Sequence, residues 1–129
     1  MTALGYIPTR RQLLAHGTYV DELLYGGAAG GGKSEWVRSE NIRFLLSIPG
    51  ARAVIFRRSF PDLRRAMIPA LLERIPRHLA RYNKSDHTWT FANGSVLELA
   101  YLQSDTDVAN YQGAEYQLCS FDELTQFTA

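Results

Sequence analysis

Residues 25–35 of this chain read YGGAAGGGKSE, and no other segment restricts its fold as strongly. A run this rich in glycine extends neither a helix nor a strand, because each glycine gives up more backbone freedom there than any other residue. The run ends in Gly-Lys-Ser. The eight residues Gly27, Ala28, Ala29, Gly30, Gly31, Gly32, Lys33 and Ser34 fit the phosphate-loop pattern G-x-x-x-x-G-K-[ST] without a mismatch. The chemistry behind the pattern is donor density. A polyphosphate needs many hydrogen-bond donors at once, and backbone N–H groups all point inward only where no side chain blocks the curl. A helix that opens at this point adds partial positive charge. Lys33 then reaches the β and γ phosphates, and Ser34 sets its hydroxyl on Mg²⁺, so ATP and Mg²⁺ are the expected cofactors. A flexible linker is the alternative. The flanks speak against it, since Leu23, Leu24 and Tyr25 close a strand candidate and residues 33–48 have helical character.

A phosphate loop of this kind needs an acid at the end of another strand. Residues 116–123, YQLCSFDE, provide two. Asp122 is expected to orient the Mg²⁺ water shell, and Glu123 to act as general base on the attacking water. A strand exit into solvent is the plain alternative for such a pair. In an open parallel sheet ligands bind at the carboxyl ends of the strands, and three strand candidates end in Gly26-Gly27, Arg57-Arg58 and Asp122-Glu123. Arg57 or Arg58 is therefore expected to sense the γ-phosphate or contact DNA, with a structural ion pair as the alternative.

The remaining pattern alternates helices and strands. Residues 7–17 read as a short helix and YVDELLY (19–25) as a strand. The helix over 33–48 places Val37, Phe44, Leu45 and Ile48 on one stripe, and Pro49-Gly50 stops it. ARAVIF (51–56) is a strand buried on both faces. Residues 59–82 are predicted to be helical with a bend or break near Pro69 and Pro76. Residues 87–102 form a hairpin around a type I′ turn at Asn93-Gly94. Residues 104–111 suggest a helical turn. This order predicts an α/β fold, a mostly parallel sheet with flanking helices.

Composition sets the outer bounds. The 129 residues are 46% hydrophobic and 21% charged, enough for one domain. No apolar run approaches a membrane span or a signal peptide, so the expectation is a cytoplasmic protein with no membrane partner. The single cysteine, Cys119, excludes an internal disulfide. The net charge of +1 hides a segregation: residues 52–84 are strongly basic, whereas residues 85–129 carry acids and no base. The basic stretch favours DNA or nucleotide phosphate, with a solvated helix face as the alternative. Asp105 and Asp107 show no metal-site pattern, and His16, His78 and His87 read as ordinary structural or surface residues.

Five blocks together resemble a known family. LYGGAAGGGKS, VIFRRSFPDLR, WTFANGSVLEL, YQGAEYQ and FDELTQF look like successive segments of the ATPase domain of the large terminase subunit of tailed phages, in the family's order over residues 8–128. The resemblance implies a P-loop NTPase fold of the RecA/ASCE-like type and a motor that hydrolyses ATP to drive double-stranded DNA into a capsid. It also implies a bacterial host cytoplasm, a homo-oligomeric ring in the full-length protein, and a capsid portal protein and small terminase subunit as partners. Gln12 looks like the glutamine that reads adenine in relatives, with an exposed polar helix residue as the alternative. Two departures concern arginine. The variable loop positions are Ala28, Ala29, Gly30 and Gly31, where some relatives carry an arginine, and Gln112-Gly113 stands where others have Arg-Gly. Interest in Arg57 and Arg58 as the arginine finger rises accordingly.

The family's coupling motif, lid and nuclease domain are not represented in these residues, so the chain reads as the N-terminal part of a P-loop ATPase domain, incomplete at its C-terminus, without assignable nuclease activity. The resemblance further implies that a strand following the Asp122-Glu123 pair inserts between the strand that leads into the phosphate loop and the strand that ends in that pair. Its lack would leave a gap in the sheet beside Leu23, Leu24, Leu118 and Phe121. Two alternatives to the motor are another RecA- or helicase-like P-loop ATPase and a non-catalytic prophage remnant.

Overall fold

The computed structural model describes residues 17, 19–25, 31–57, 61, 63–101, 111, 113 and 115–121. Strand β1 (Tyr19–Tyr25) leads toward helix α1 (Gly31–Ser47), and strand β2 (Arg52–Arg57) follows. A π-helical segment (Leu63–Met67) runs into helix α2 (Ile68–Arg74). Strands β3 (Ala80–Asn83), β4 (Thr88–Phe91), β5 (Val96–Tyr101) and β6 (Glu115–Phe121) complete the described elements. The fold is α/β.

The described strands form one sheet of six in the order β1-β6-β2-β5-β4-β3. Its pairings correct the expectation of a mostly parallel sheet. β1–β6, β6–β2 and β2–β5 are parallel, whereas β5–β4 and β4–β3 are antiparallel, so the sheet is mixed. The expected gap is also absent among the described residues. β1 pairs directly with β6, Leu23 opposite Cys119 and Leu24 opposite Ser120. Leu118 and Phe121 are each only 2% exposed.

β2 is apolar throughout its interior because it is buried on both faces, as an inner strand with parallel neighbours must be. On one face Ala53, Ile55, Leu97, Leu99, Trp89 and Phe91 meet Val37 and Leu45 of α1 and Ile68 and Leu71 of α2. On the other, Phe56 stacks on Phe121 with ring centroids 5.3 Å apart and meets Tyr111 edge-on. The buried row of α1 is Val37, Asn41 and Leu45, one residue per turn, while Ile48 is 42% exposed. The predicted stripe was therefore right at Val37 and Leu45 and wrong at Ile48, which lies past the last turn.

The helical segment changes where the prolines fall. Pro69 sits in the first turn of α2, where its missing N–H breaks no helical bond. Before it the coil is widened into the π segment. Ile75 is extended, at φ −106° and ψ 102°, as a residue preceding proline prefers. Beyond Pro76 the chain is not helical. Ala80 is buried and Tyr82 half-buried while Arg81 and Asn83 are exposed, the period of a strand. Tyr82 and Trp89 face each other across β3 and β4 at 4.4 Å between centroids. Asn83 Oδ1 accepts from the N–H groups of Ser85 (2.9 Å) and Asp86 (3.2 Å), a local turn that sends the chain into β4.

The hairpin β4–β5 forms as expected, but its turn is not type I′. Gly94 has φ +87°, whereas Asn93 keeps a negative φ. Asn93 is used otherwise. Its Nδ2 donates to the Leu45 carbonyl at 2.8 Å, and Ser95 Oγ donates to the same oxygen at 2.9 Å, so the turn caps the last turn of α1. No helix among the described residues is long and apolar enough to cross a membrane. The predicted helix over residues 7–17 lies outside the described residues, apart from Gly17, and the predicted helical turn over 104–111 lies outside them apart from Tyr111.

Candidate functional site

Register builds the candidate site. Tyr25, the last residue of β1, lies opposite Phe121, the last residue of β6. Phe121 in turn lies opposite Phe56, and Arg57 follows as the last residue of β2. Three neighbouring strands, all running the same way, thus end level with one another at one edge of the sheet. The glycine stretch, Arg58 and the Asp122-Glu123 pair are the sequences that directly follow these three ends. Parallel strands gather their carboxyl ends on one side, and this is where open α/β sheets take ligands.

Helix α1 begins at Gly31, so Gly31, Gly32, Lys33 and Ser34 form its first turn. That turn contains no acidic residue, which leaves its partial positive charge available to an anion. The first acid of the helix, Glu35, is engaged by Arg38 at 3.1 Å and by Arg74 of α2. A turn of two glycines, a lysine and a serine at the start of a 17-residue helix suits a phosphate chain with its cation. Gln12, Gly27, Ala28, Ala29, Gly30, Arg58, Asp122 and Glu123 lie outside the described residues.

Arg57 is 3% exposed. A guanidinium so buried must be engaged by protein groups, and Arg57 is. Across the sheet it lies opposite Tyr101, the last residue of β5.

Two polar residues at the site escaped the sequence pattern. Asn41 of α1 is fully buried, and its Nδ2 donates to the Val37 carbonyl and to Ser120 Oγ of β6, both at 2.9 Å. Ser120 is fully buried as well. The signal was present: Asn41 falls midway between Val37 and Leu45 in a buried helical row, where an asparagine needs a partner.

At the opposite edge of the sheet, Tyr116 O–H donates to Glu98 at 3.0 Å, and the Arg52 guanidinium lies over the Tyr116 ring at 5.2 Å. Burial first, and then the Glu98 carboxylate, push the Tyr116 phenol far above its ordinary range. This cluster joins the starts of β2 and β6 and is distant from their ends. A groove of about 630 Å³, lined among others by Arg77, Arg81, Asn83, Thr88 and Thr90, flanks β3 and β4. It is separated from β6 by β2 and β5 and does not belong to the candidate site.

The chain matches no family model, no curated protein and no solved structure.

Proposed function

We propose that this chain is an ATP-binding and ATP-hydrolysing motor domain of the large terminase type, acting in the host cytoplasm to drive double-stranded DNA into a capsid. The observation that carries the reading is the level ending of β1, β6 and β2, with the phosphate-loop pattern joining β1 to α1 and the acid pair following β6 directly. The five sequence blocks supply the terminase assignment, and with it the portal protein, the small subunit and a ring of subunits as partners.

When bound, Mg²⁺-ATP supplies an activated phosphoryl group. The backbone of residues 27–32 and the start of α1 hold the phosphates, Lys33 neutralises their charge, and Gln12 selects the adenine. Ser34 and Asp122 would hold the cation. Glu123 takes a proton from the attacking water. Arg57 or Arg58 stabilises charge on the transferring group.

Another helicase-like P-loop ATPase shares both motifs, and preferential stimulation of turnover by single-stranded DNA would favour it. The test of the ATPase is a split between binding and turnover. Glu123→Gln is expected to bind ATP as the wild type does and to lose hydrolysis, because the base acts only on the attacking water. Wild-type turnover in Glu123→Gln would remove Glu123 from the mechanism and leave the acid pair as a strand exit.

A further inference from the structure

We infer that the buried Asn41–Ser120 hydrogen bond is a positioning device that fixes the start of α1 relative to the end of β6, the two elements that carry or lead to the proposed cation-holding residues Ser34 and Asp122. The inference rests on the nucleotide-site reading above. Asn41 lies seven residues after Ser34 in the same helix, which is two turns along one helical row and about 10 Å of axial rise. Ser120 lies two residues before Asp122 in the chain. One 2.9 Å bond therefore ties the helix that begins with one proposed cation-holding residue to the strand that leads to the other.

Apolar packing alone fixes such a relation poorly. Val37 and Leu45, the buried neighbours of Asn41 one turn to either side, make non-directional contacts that a small slide or rotation of α1 preserves. A hydrogen bond with both partners fully buried has a narrow range of length and angle. The amide orientation is fixed too, since Nδ2 must also meet the Val37 carbonyl at 2.9 Å. That choice has a cost. Asn41 Oδ1 is buried and has no hydrogen-bond partner among the described residues. A leucine here together with an alanine at 120 would fill similar space and strand neither Oδ1 nor the Ser120 hydroxyl. A buried polar pair where an apolar one would fit, placed to fix geometry, marks a positioning role.

The two roles differ in sign. If Asn41 serves stability alone, Asn41→Leu weakens the fold and leaves any cation response of the folded protein intact. If it positions, Asn41→Leu combined with Ser120→Ala, which strands no hydroxyl, melts no lower than the wild type yet binds ATP with a smaller gain on adding Mg²⁺. Loss of residues that orient metal ligands costs roughly 10–100-fold in metal affinity. The experiment titrates ATP into wild type, Asn41→Leu, Ser120→Ala and the double variant, each with Mg²⁺ and with EDTA, and records thermal unfolding of each.

The expected result is a Mg²⁺-dependent tightening in the wild type that shrinks at least tenfold in each single variant. The double variant should lose no more than the larger single loss, since one bond is removed only once. A wild type that does not bind ATP would overturn the nucleotide reading and this inference with it. Mg²⁺-dependent tightening kept by both single variants would overturn the positioning role alone. Additive losses, or a double variant whose loss comes with a melting temperature well below the wild type's, would reduce the bond to an ordinary structural one and overturn it as well.

Discussion

Asn93→Ala should destabilise the fold by about 2 kcal/mol, because one side chain both closes the β4–β5 turn and caps α1. Its Nδ2 donates to the Leu45 carbonyl at 2.8 Å, and its Oδ1 accepts from the Ser95 N–H at 3.0 Å. Ser95 Oγ lies 2.7 Å from Asn93 Oδ1 and 2.9 Å from the Leu45 oxygen, but its single proton serves one of them at a time and is not counted as lost. Each of the two bonds removed contributes about 0.5–1.5 kcal/mol, and Ser95 is fully buried, so water replaces its partner poorly. With an unfolding entropy of about 2 cal/mol/K per residue over this chain, 2 kcal/mol lowers Tm by about 7 °C. Thermal unfolding followed by circular dichroism measures this directly. The sheet is continuous from β1 to β3, so a single cooperative transition is expected. Asn93→Asp keeps the acceptor but sets a carboxylate against the carbonyl end of α1, so it should be no more stable than Asn93→Ala near neutral pH. That repulsion raises the pKa of the introduced carboxyl group in the fold above its value in the unfolded chain, so the charge part of the Asn93→Asp deficit should shrink as pH falls through the raised value and be gone below about 4. A fall in Tm of less than about 2 °C in Asn93→Ala would refute the capping account.

Burial pushes the Cys119 thiol well above its ordinary range. A thiol that ionises more readily in the unfolded chain contributes stability in full below about pH 8.5, and that contribution is lost as pH rises further. Cys119 should therefore resist a disulfide reagent at pH 8 until the protein is unfolded, and rapid native labelling would contradict its burial. Arg58→Ala should cut ATP turnover by about 10³-fold or more with ATP binding little changed, as for an arginine acting on the transferring phosphoryl group. Steady-state hydrolysis within a few-fold of wild type would assign that role elsewhere. Arg58 is the cleaner test, because Arg57 is buried and its removal also weakens the core.

The parts of the fold legible in the sequence were those with a strong local signal. YVDELLY is β1 residue for residue, and the four apolar residues 53–56 mark β2 because a strand covered on both faces leaves no room for polar side chains. β3 was missed for the opposite reason. Four residues, ARYN, carry too few alternations to outweigh the helical run before them, and their strand character comes from pairing with Trp89 and Phe91. Asn93-Gly94 signalled a turn but not its type, because the conformation of Asn93 is set by a helix 48 residues earlier in the chain. The candidate site divides the same way. The loop and acid pair are visible as patterns, whereas Asn41 and Ser120 are 79 positions apart and join only through the packing of α1 on β6.

The central claim is that the end of β1, the start of α1 and the end of β6 form a site for a nucleotide polyphosphate. Calorimetric titration of ATP with Mg²⁺ into the wild type and Lys33→Ala tests it most directly. The account predicts saturable one-site binding by the wild type, at least tenfold weaker binding by Lys33→Ala, and equal melting temperatures for the two proteins. Equal affinities, or no ATP binding by a wild type that unfolds cooperatively, would contradict it.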